Sequence, residues 1–240
     1  MSENMNEKDT EVVVKRGFLA WLDNFWYHYK WHSIISLFLV FAVTVCTLQM
    51  CGRTEYDVHI MYAGSHRVSR QNKDGDVAEY AKILSALKSV SEDFDGNGET
   101  NVGFLDLHIL SNSEMQETED YSAQQVLSDR EKLVDNFGVS DYYLCFVSKN
   151  VYEEYKESSG ARMFVPLAQY VKEGSDVEYY AEDAVYLSSA DFYSLAGIKE
   201  LPEDTLICIR NLNAVSSHFD SKNAEKQFKR AVSVFSDIVN

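Results

Sequence analysis

The alternation of hydrophobic and polar residues divides the chain into an apolar N-terminal segment and a longer, patterned region. The run from Ser33 to Met50 contains no Asp, Glu, Lys or Arg. A helix of about 20 residues, rising about 1.5 Å per residue, spans the hydrocarbon core of a bilayer. We therefore predict a transmembrane helix over residues 33–52.

The residues just before this run are rich in aromatic rings of the kind that collects at the depth of lipid headgroups. They are Trp26, Tyr27, Tyr29 and Trp31. We predict an interfacial aromatic helix over residues 17–32, which either continues the span or lies separately in the interface. Residues 1–16 are predicted to be a disordered cytoplasmic tail.

A cleaved signal peptide and a buried core helix are the alternatives to an anchor. A signal peptide has a short charged start and a small-x-small cleavage site. Here the apolar run begins only at Ser33, and Leu48-Gln49-Met50-Cys51 lacks a small residue before the cysteine. A core helix of this length would show a broader polar face. Both observations favour an uncleaved anchor.

After residue 53, runs typical of strands alternate with segments of helical periodicity. The predicted strands are EYDVHIMYA, NVGFLDLHIL, DYYLCFV, ARMFV, AVYL and DTLICIR, and the predicted helices cover 77–90, 122–137, about 150–158, about 167–172 and a last segment from about 222. The alternation predicts an α/β fold with a mostly parallel sheet and crossover helices. Residues 54–240 would form this domain.

Two polar stretches, residues 65–76 and 111–122, each follow the C-terminal end of a predicted strand. Open α/β sheets bind ligands at that edge. Together with residues 188–193, these loops are where we expect a ligand or partner.

The net charge of −16 belongs entirely to the predicted domain. Residues 1–53 hold five basic and five acidic side chains, which leaves 22 − 5 = 17 basic and 38 − 5 = 33 acidic residues beyond. Nucleic acid is excluded as a partner, because contacts to phosphates need clustered Lys and Arg.

Cys145 and Cys208 fall in apolar strands; two buried thiols are favoured over a disulfide.

The stretch DFDGNGETNVGF, residues 93–104, matches the start of a calcium loop. Asp93, Asp95 and Asn97 take positions 1, 3 and 5, where Ca²⁺ loops place oxygen ligands. Phe104 stands where a bidentate Glu is needed, so a distant carboxylate would have to complete the site. The alternative is a tight turn, since Asp, Asn and Gly favour turns for backbone reasons alone. We expect no cofactor apart from a Ca²⁺ ion that this stretch could hold.

An Asp-x-His pair occurs on each of the first two predicted strands: Asp57 with His59, and Asp106 with His108. Side chains two residues apart share one face of a strand, so four such groups on neighbouring strands would lie together. Carboxylate and imidazole are ligands for zinc or iron. The alternative is that they are paired polar groups on a sheet face that is only partly covered.

One passage resembles a family. DYYLCFVSKNVYEEYKESSGARMFVPLAQYV is similar to the strand, helix, glycine and proline-leucine passage of extracytoplasmic solute-binding proteins of ABC transport systems, on Asp141, Gly160, Phe164, Pro166 and Leu167. The predicted domain, residues 54–240, is short for a two-lobed protein of this kind, so the resemblance implies one lobe or a reduced pair. It also implies a domain outside the cytosol and a cytoplasmic N-terminus. The charges flanking the span are balanced and set no orientation.

No G-x-S-x-G motif or glycine-rich phosphate loop is present in the sequence. We expect a single-pass, membrane-anchored, extracytoplasmic and non-catalytic binding or assembly module. Its partner would be a small solute or another membrane or extracytoplasmic protein. A membrane-tethered metal-dependent hydrolase and a structural subunit of a membrane complex are the alternatives.

Overall fold

A computed structural model describes residues 17–51, 55–71, 77–117, 122–139, 141–158, 163–212 and 221–240. The chain divides into two compact units, residues 1–54 and residues 55–240. The predicted tail over residues 1–16 lies outside the described residues. So does Gly160, one of the residues on which the family resemblance depends.

In the described part of the first unit, the chain forms the helix α1 (Phe18–Cys51), of 34 residues. At about 1.5 Å per residue it is about 51 Å long. Its segment from Trp21 to Leu48 is long and apolar enough to cross a membrane. Of the two alternatives for residues 17–32, the structure has the continuous helix. The rings of Trp21, Phe25 and Tyr29 stack along one side, with centroids 5.5 and 5.3 Å apart.

The second unit is an α/β domain around one six-stranded sheet. Its elements are β1 (Val58–Gly64), α2 (Glu79–Ser89), β2 (Val102–His108), α3 (Asn112–Glu117), α4 (Ala123–Val139), β3 (Leu144–Ser148), α5 (Lys149–Ser158), β4 (Tyr179–Ala181), β5 (Ala184–Tyr186), β6 (Thr205–Ile209) and α6 (Ser221–Val239). Two short 3₁₀ turns, Leu187–Ser189 and Asp191–Ser194, follow β5. The α/β prediction is confirmed.

The strand order is β2-β1-β3-β6-β5-β4. β1 pairs in parallel with β2 and β3, and the remaining neighbours pair antiparallel. Because β5 reverses the direction of β6, four of the six strands run the same way. The predicted parallel arrangement with crossover helices therefore holds for β1 to β3, and the second half of the sheet is built from antiparallel pairs.

Both faces of the sheet are covered by helices. Ile60, Leu144 and Ile207 point to a core shared with α2 and α6. Met61 and Val147 point to a second core, shared with α4 and α5. Every residue of β3 is buried, which explains why the predicted strand DYYLCFV is apolar at alternate and intervening positions alike.

Cys145 and Cys208 face each other across β3 and β6. Both thiols are free and fully buried, in agreement with the preference for two small hydrophobic side chains. Burial raises the pKa of the Cys145 thiol to about 12, so it is protonated and unreactive at neutral pH.

The helix predicted near residues 167–172 is wrong. The chain around Phe164 runs extended beside β6: the Val165 N–H donates to the Ile209 carbonyl, and the Leu167 N–H donates to the Glu182 carbonyl, both at 2.9 Å. These bonds to β6 and to the turn between β4 and β5 replace the local bonds a helix needs. Phe164 makes a single bridge to Arg210 where a strand was expected.

Candidate ligand-binding site

A cavity of about 700 Å³ lies where the parallel strands β1 and β2 end. One wall is the loop from His66 to Gln71, and the floor is the outer side of β2 from Leu105 to His108. The other wall comes from Gln125, Asp129 and Lys132 of α4. The loop belongs to the predicted stretch 65–76. The cavity thus occupies the edge at which ligand binding was expected.

The loop after β1 is held in place by Glu79 in the first turn of α2. Glu79 Oε1 lies 2.5 Å from His66 Nε2, and Oε2 accepts the Ser69 N–H at 3.0 Å. The His66 N–H also donates to the Tyr62 hydroxyl at 3.2 Å. One carboxylate therefore fixes two points of the wall.

Arg70 brings a guanidinium to the floor of the cavity. It forms an ion pair with Asp106 on β2, and its Cζ lies 4.3 Å from the centre of the Tyr80 ring. The Tyr80 hydroxyl in turn donates to the Phe104 carbonyl at 3.1 Å. The hydrogen bond to Asp106 raises the pKa of Arg70, so the guanidinium is charged at every accessible pH.

Asp129 organises the opposite wall. Its carboxylate accepts hydrogen bonds from Gln125 Nε2 at 2.9 Å, Lys132 Nζ at 2.8 Å and the His108 backbone N–H at 3.3 Å. Burial opposes ionisation of Asp129, but these donors outweigh it and lower its pKa. His108 Nε2 donates to the Ser65 carbonyl at 2.9 Å, which ties the end of β2 to the loop after β1.

The cavity is more basic than the rest of the domain. Arg67, Arg70 and Lys132 line it against two carboxylates, those of Asp106 and Asp129. Over the whole domain, by contrast, acidic side chains outnumber basic ones, 33 to 17. This local excess of cations favours negatively charged groups of a ligand.

The predicted calcium loop lies at the opposite, N-terminal end of β2. Asp93 accepts the backbone N–H groups of Gly96 and Gly98, each at 2.7 Å. Gly96 and Gly98 have φ of 74° and 89°, in the left-handed region that favours glycine. The Asp95 carboxylate is similarly occupied by Asn97. These contacts are those a tight turn requires.

Asp57 belongs to this loop. Its fully buried carboxylate accepts the N–H groups of Phe94, Asp95 and Asn101 at 2.8, 3.1 and 2.9 Å. Oxygens of Asp57, Asp93 and Asp95 lie within 4.8 Å of one another, so Asp57 is the distant carboxylate that a calcium site would need. Binding of Ca²⁺ here stays a prediction, because backbone amides already account for the three carboxylates.

The expectation that the two Asp-x-His pairs gather in one place is wrong. In the parallel register His59 lies beside Gly103, while His108 lies beside Gly64. Five residues, or about 16 Å along the strands, separate the two positions. Asp106 and His108 line the cavity, whereas Asp57 binds the loop below.

His59 lies among aromatic rings near the N-terminal end of β1. Its ring packs edge-on against Tyr56 and Tyr142, with centroids 5.4 and 5.3 Å away. Burial lowers the pKa of His59. A neutral histidine in an aromatic setting is a packing residue, and the close approach of Gly103 to this ring leaves no room for a side chain there.

No sequence motif marks the cationic lining of the cavity. Arg67 and Arg70 lie within the predicted loop, but no spacing connects them to Lys132, which is 62 positions further along the chain than Arg70. Only the pairing of β1 with β2 and the return of α4 bring them to one cavity. Comparison of the chain with family models, curated proteins and solved structures gives no match.

Proposed function

We propose that the protein is a membrane-anchored binding module whose α/β domain holds a small solute in the cavity at the ends of β1 and β2. The observation that carries this proposal is the cavity itself: about 700 Å³, within the range of small-molecule sites, at the sheet edge where α/β folds bind ligands. Its walls are fixed by Glu79 and Asp129, so the site needs little reorganisation on binding.

The anchor supports a role at a membrane, because the segment from Trp21 to Leu48 is long and apolar enough to cross one. We further propose that the N-terminus is cytoplasmic and that the domain lies outside the cytosol, as the solute-binding resemblance implies. In this arrangement the module captures its ligand at the cell surface without converting it.

Binding is tested on the full chain in lipid nanodiscs by calorimetric unfolding against sugars, amino acids, short peptides and small anions. A ligand present at about 100 times its Kd stabilises the folded state by about 2.7 kcal/mol. For a domain of this size that is a rise in Tm of roughly 5 to 10 °C. A flat response across the panel would contradict the proposal and favour the structural-subunit alternative.

Two variants on α4 localise any binding to the cavity. Gln125→Trp places a large ring in the cavity wall, whereas Gln124→Trp adds the same ring at an exposed neighbour outside the lining. The first should abolish the ligand-induced shift in Tm and the second should preserve it. Equal behaviour of the two variants would place the ligand elsewhere.

Orientation is tested with a membrane-impermeant maleimide on intact cells. In a background with Cys46→Ser and Cys51→Ser, Ser85→Cys adds a thiol at an exposed position of α2. It should be labelled in intact cells, whereas Ser2→Cys should be labelled only after permeabilisation. The reverse pattern would refute the proposed orientation.

A further inference from the structure

The two interior carboxylates of the cavity sit behind the cations that pair with them. The side chains of Asp106 and Asp129 are 18% and 6% exposed, against 59% for Arg70 and 50% for Lys132. Each cation is therefore more exposed than the carboxylate that pairs with it, and that carboxylate orients it. A guanidinium has five donors, so a contact to Asp106 is compatible with a second acceptor.

The sign of the ligand's charge follows from this arrangement of exposed cations in front of less exposed carboxylates. A cationic ligand reaches Asp106 and Asp129 only by displacing Arg70 and Lys132. An anionic ligand binds the exposed ends of these cations and leaves both pairs intact. Arg67, which is exposed on the loop wall that also carries Arg70, adds a third positive charge.

The open edge of β2 is partly blocked against pairing with an added strand. The backbone groups of Asn101 and Ile109 form hydrogen bonds on the side facing β1. The backbone N–H and C=O groups of the even-numbered residues between them therefore point away from β1, toward the open edge of the sheet. The Phe104 carbonyl accepts the Tyr80 hydroxyl, and the His108 N–H donates to Asp129. Side chains thus occupy outward groups that a bound strand would need. This favours a compact solute over a bound strand as the occupant.

On the basis of the proposed function, we propose that this solute carries an oxyanion, a carboxylate or a phosphate, held jointly by Arg67, Arg70 and Lys132. Both groups accept charge-assisted hydrogen bonds from arginine and lysine. Asp106 and Asp129 act as positioning residues that hold the two cations toward the cavity.

The test is isothermal titration of the full chain in nanodiscs of zwitterionic lipid. The probes are inorganic phosphate, citrate, glucose and spermidine, each at two ionic strengths. We expect phosphate or citrate to bind, with an affinity that falls as salt rises. The two arms separate phosphate from carboxylate as the source.

Charge-neutralising variants locate the interaction. Arg67→Gln and Lys132→Gln should each weaken binding of the oxyanion about tenfold, the loss of one charged partner. Lys229→Gln, which removes an exposed lysine of α6 outside the cavity, should leave it unchanged. Near-UV circular dichroism of each variant verifies that the domain is folded. Equal effects of Lys132→Gln and Lys229→Gln would overturn the assignment.

The remaining outcomes separate this inference from the proposed function. Binding of glucose or spermidine without binding of either oxyanion overturns the oxyanion assignment and keeps the binding module. A panel in which no probe binds, here and in the calorimetric test, overturns both.

Discussion

Replacing Asp57 by Asn tests whether one buried carboxylate organises the loop between α2 and β2. The carboxylate accepts three backbone N–H groups, two at Oδ1 and one at Oδ2. An asparagine retains one acceptor oxygen for Phe94 and Asp95 but turns an NH₂ group toward the Asn101 N–H. One charge-assisted bond is lost and two become neutral.

The expected cost is substantial for a single domain. A hydrogen bond to a charged group contributes about 1.5–3 kcal/mol. Loss of one bond and weakening of two predict that Asp57→Asn lowers the free energy of unfolding by about 3 kcal/mol, out of a typical 5–15 kcal/mol. Asp135→Asn removes an exposed carboxylate of α4 and should change it by less than about 0.5 kcal/mol.

Tyrosine near-UV circular dichroism is the assay for urea unfolding, because all three tryptophans lie in α1 and report on that helix instead of the domain. Hydrogen exchange measured by mass spectrometry adds a local readout. The amides of Phe94, Asp95 and Asn101 should exchange faster in Asp57→Asn than in Asp135→Asn. Equal stability and equal exchange in the two variants would refute the reasoning.

Three further predictions concern other parts of the domain. Gly197→Ala should destabilise by more than about 2 kcal/mol, because φ is +89° and a Cβ would meet the Ile83 backbone nitrogen at 2.6 Å; Gly174→Ala, with φ +92° and open space, should cost about 1 kcal/mol in the same urea titration. Burial lowers the pKa of His59 below its usual 6.5, so below pH 6.5 the unfolded chain binds more protons than the folded one. The stability that His59 contributes is therefore present at pH 7 and lost as pH falls. His59→Phe should flatten the decline of Tm between pH 7 and 5, and an unchanged slope would contradict this. Arg210 is buried, and its Nη1 donates to two carbonyls at the end of α4 at 2.8 and 3.1 Å. Arg210→Lys should lower the free energy of unfolding by about 2 kcal/mol. An unchanged Tm would show that the helix end does not depend on the guanidinium.

The elements that the sequence predicted well are those with a strong local signal. The uncharged run from Ser33 to Met50 and the periodic apolar stripe of α6 carry their structure in their own pattern. β4 was missed because Tyr179–Ala181 is three residues long and exists through its pairing with β5. The pattern around residues 167–172 predicts a helix because nothing local shows that Val165 and Leu167 bond to Ile209 and Glu182.

The candidate site likewise has features that the local sequence predicts and features that depend on tertiary contacts. The loop at residues 65–76 was predicted from its place after a strand, and its residues 66–71 line the cavity. Spacing groups Asp57 with His59, yet the partners of Asp57 are backbone amides 37 to 44 positions away. The basic lining depends on the juxtaposition of Arg70 and Lys132, a tertiary relation for which periodicity gives no signal.

The contact of Arg230 with β1 has a consequence for the order in which the protein matures. Arg230 of α6 donates to the Asp57 carbonyl at 2.7 Å, across 173 positions of the chain. β3 likewise pairs with β6, which is synthesised well after it. Contacts of such sequence separation form slowly. During synthesis at about 5–20 residues per second, α1 is complete many seconds before α6. An anchor of the kind proposed would therefore be available to the insertion machinery while the domain is still unable to close its core.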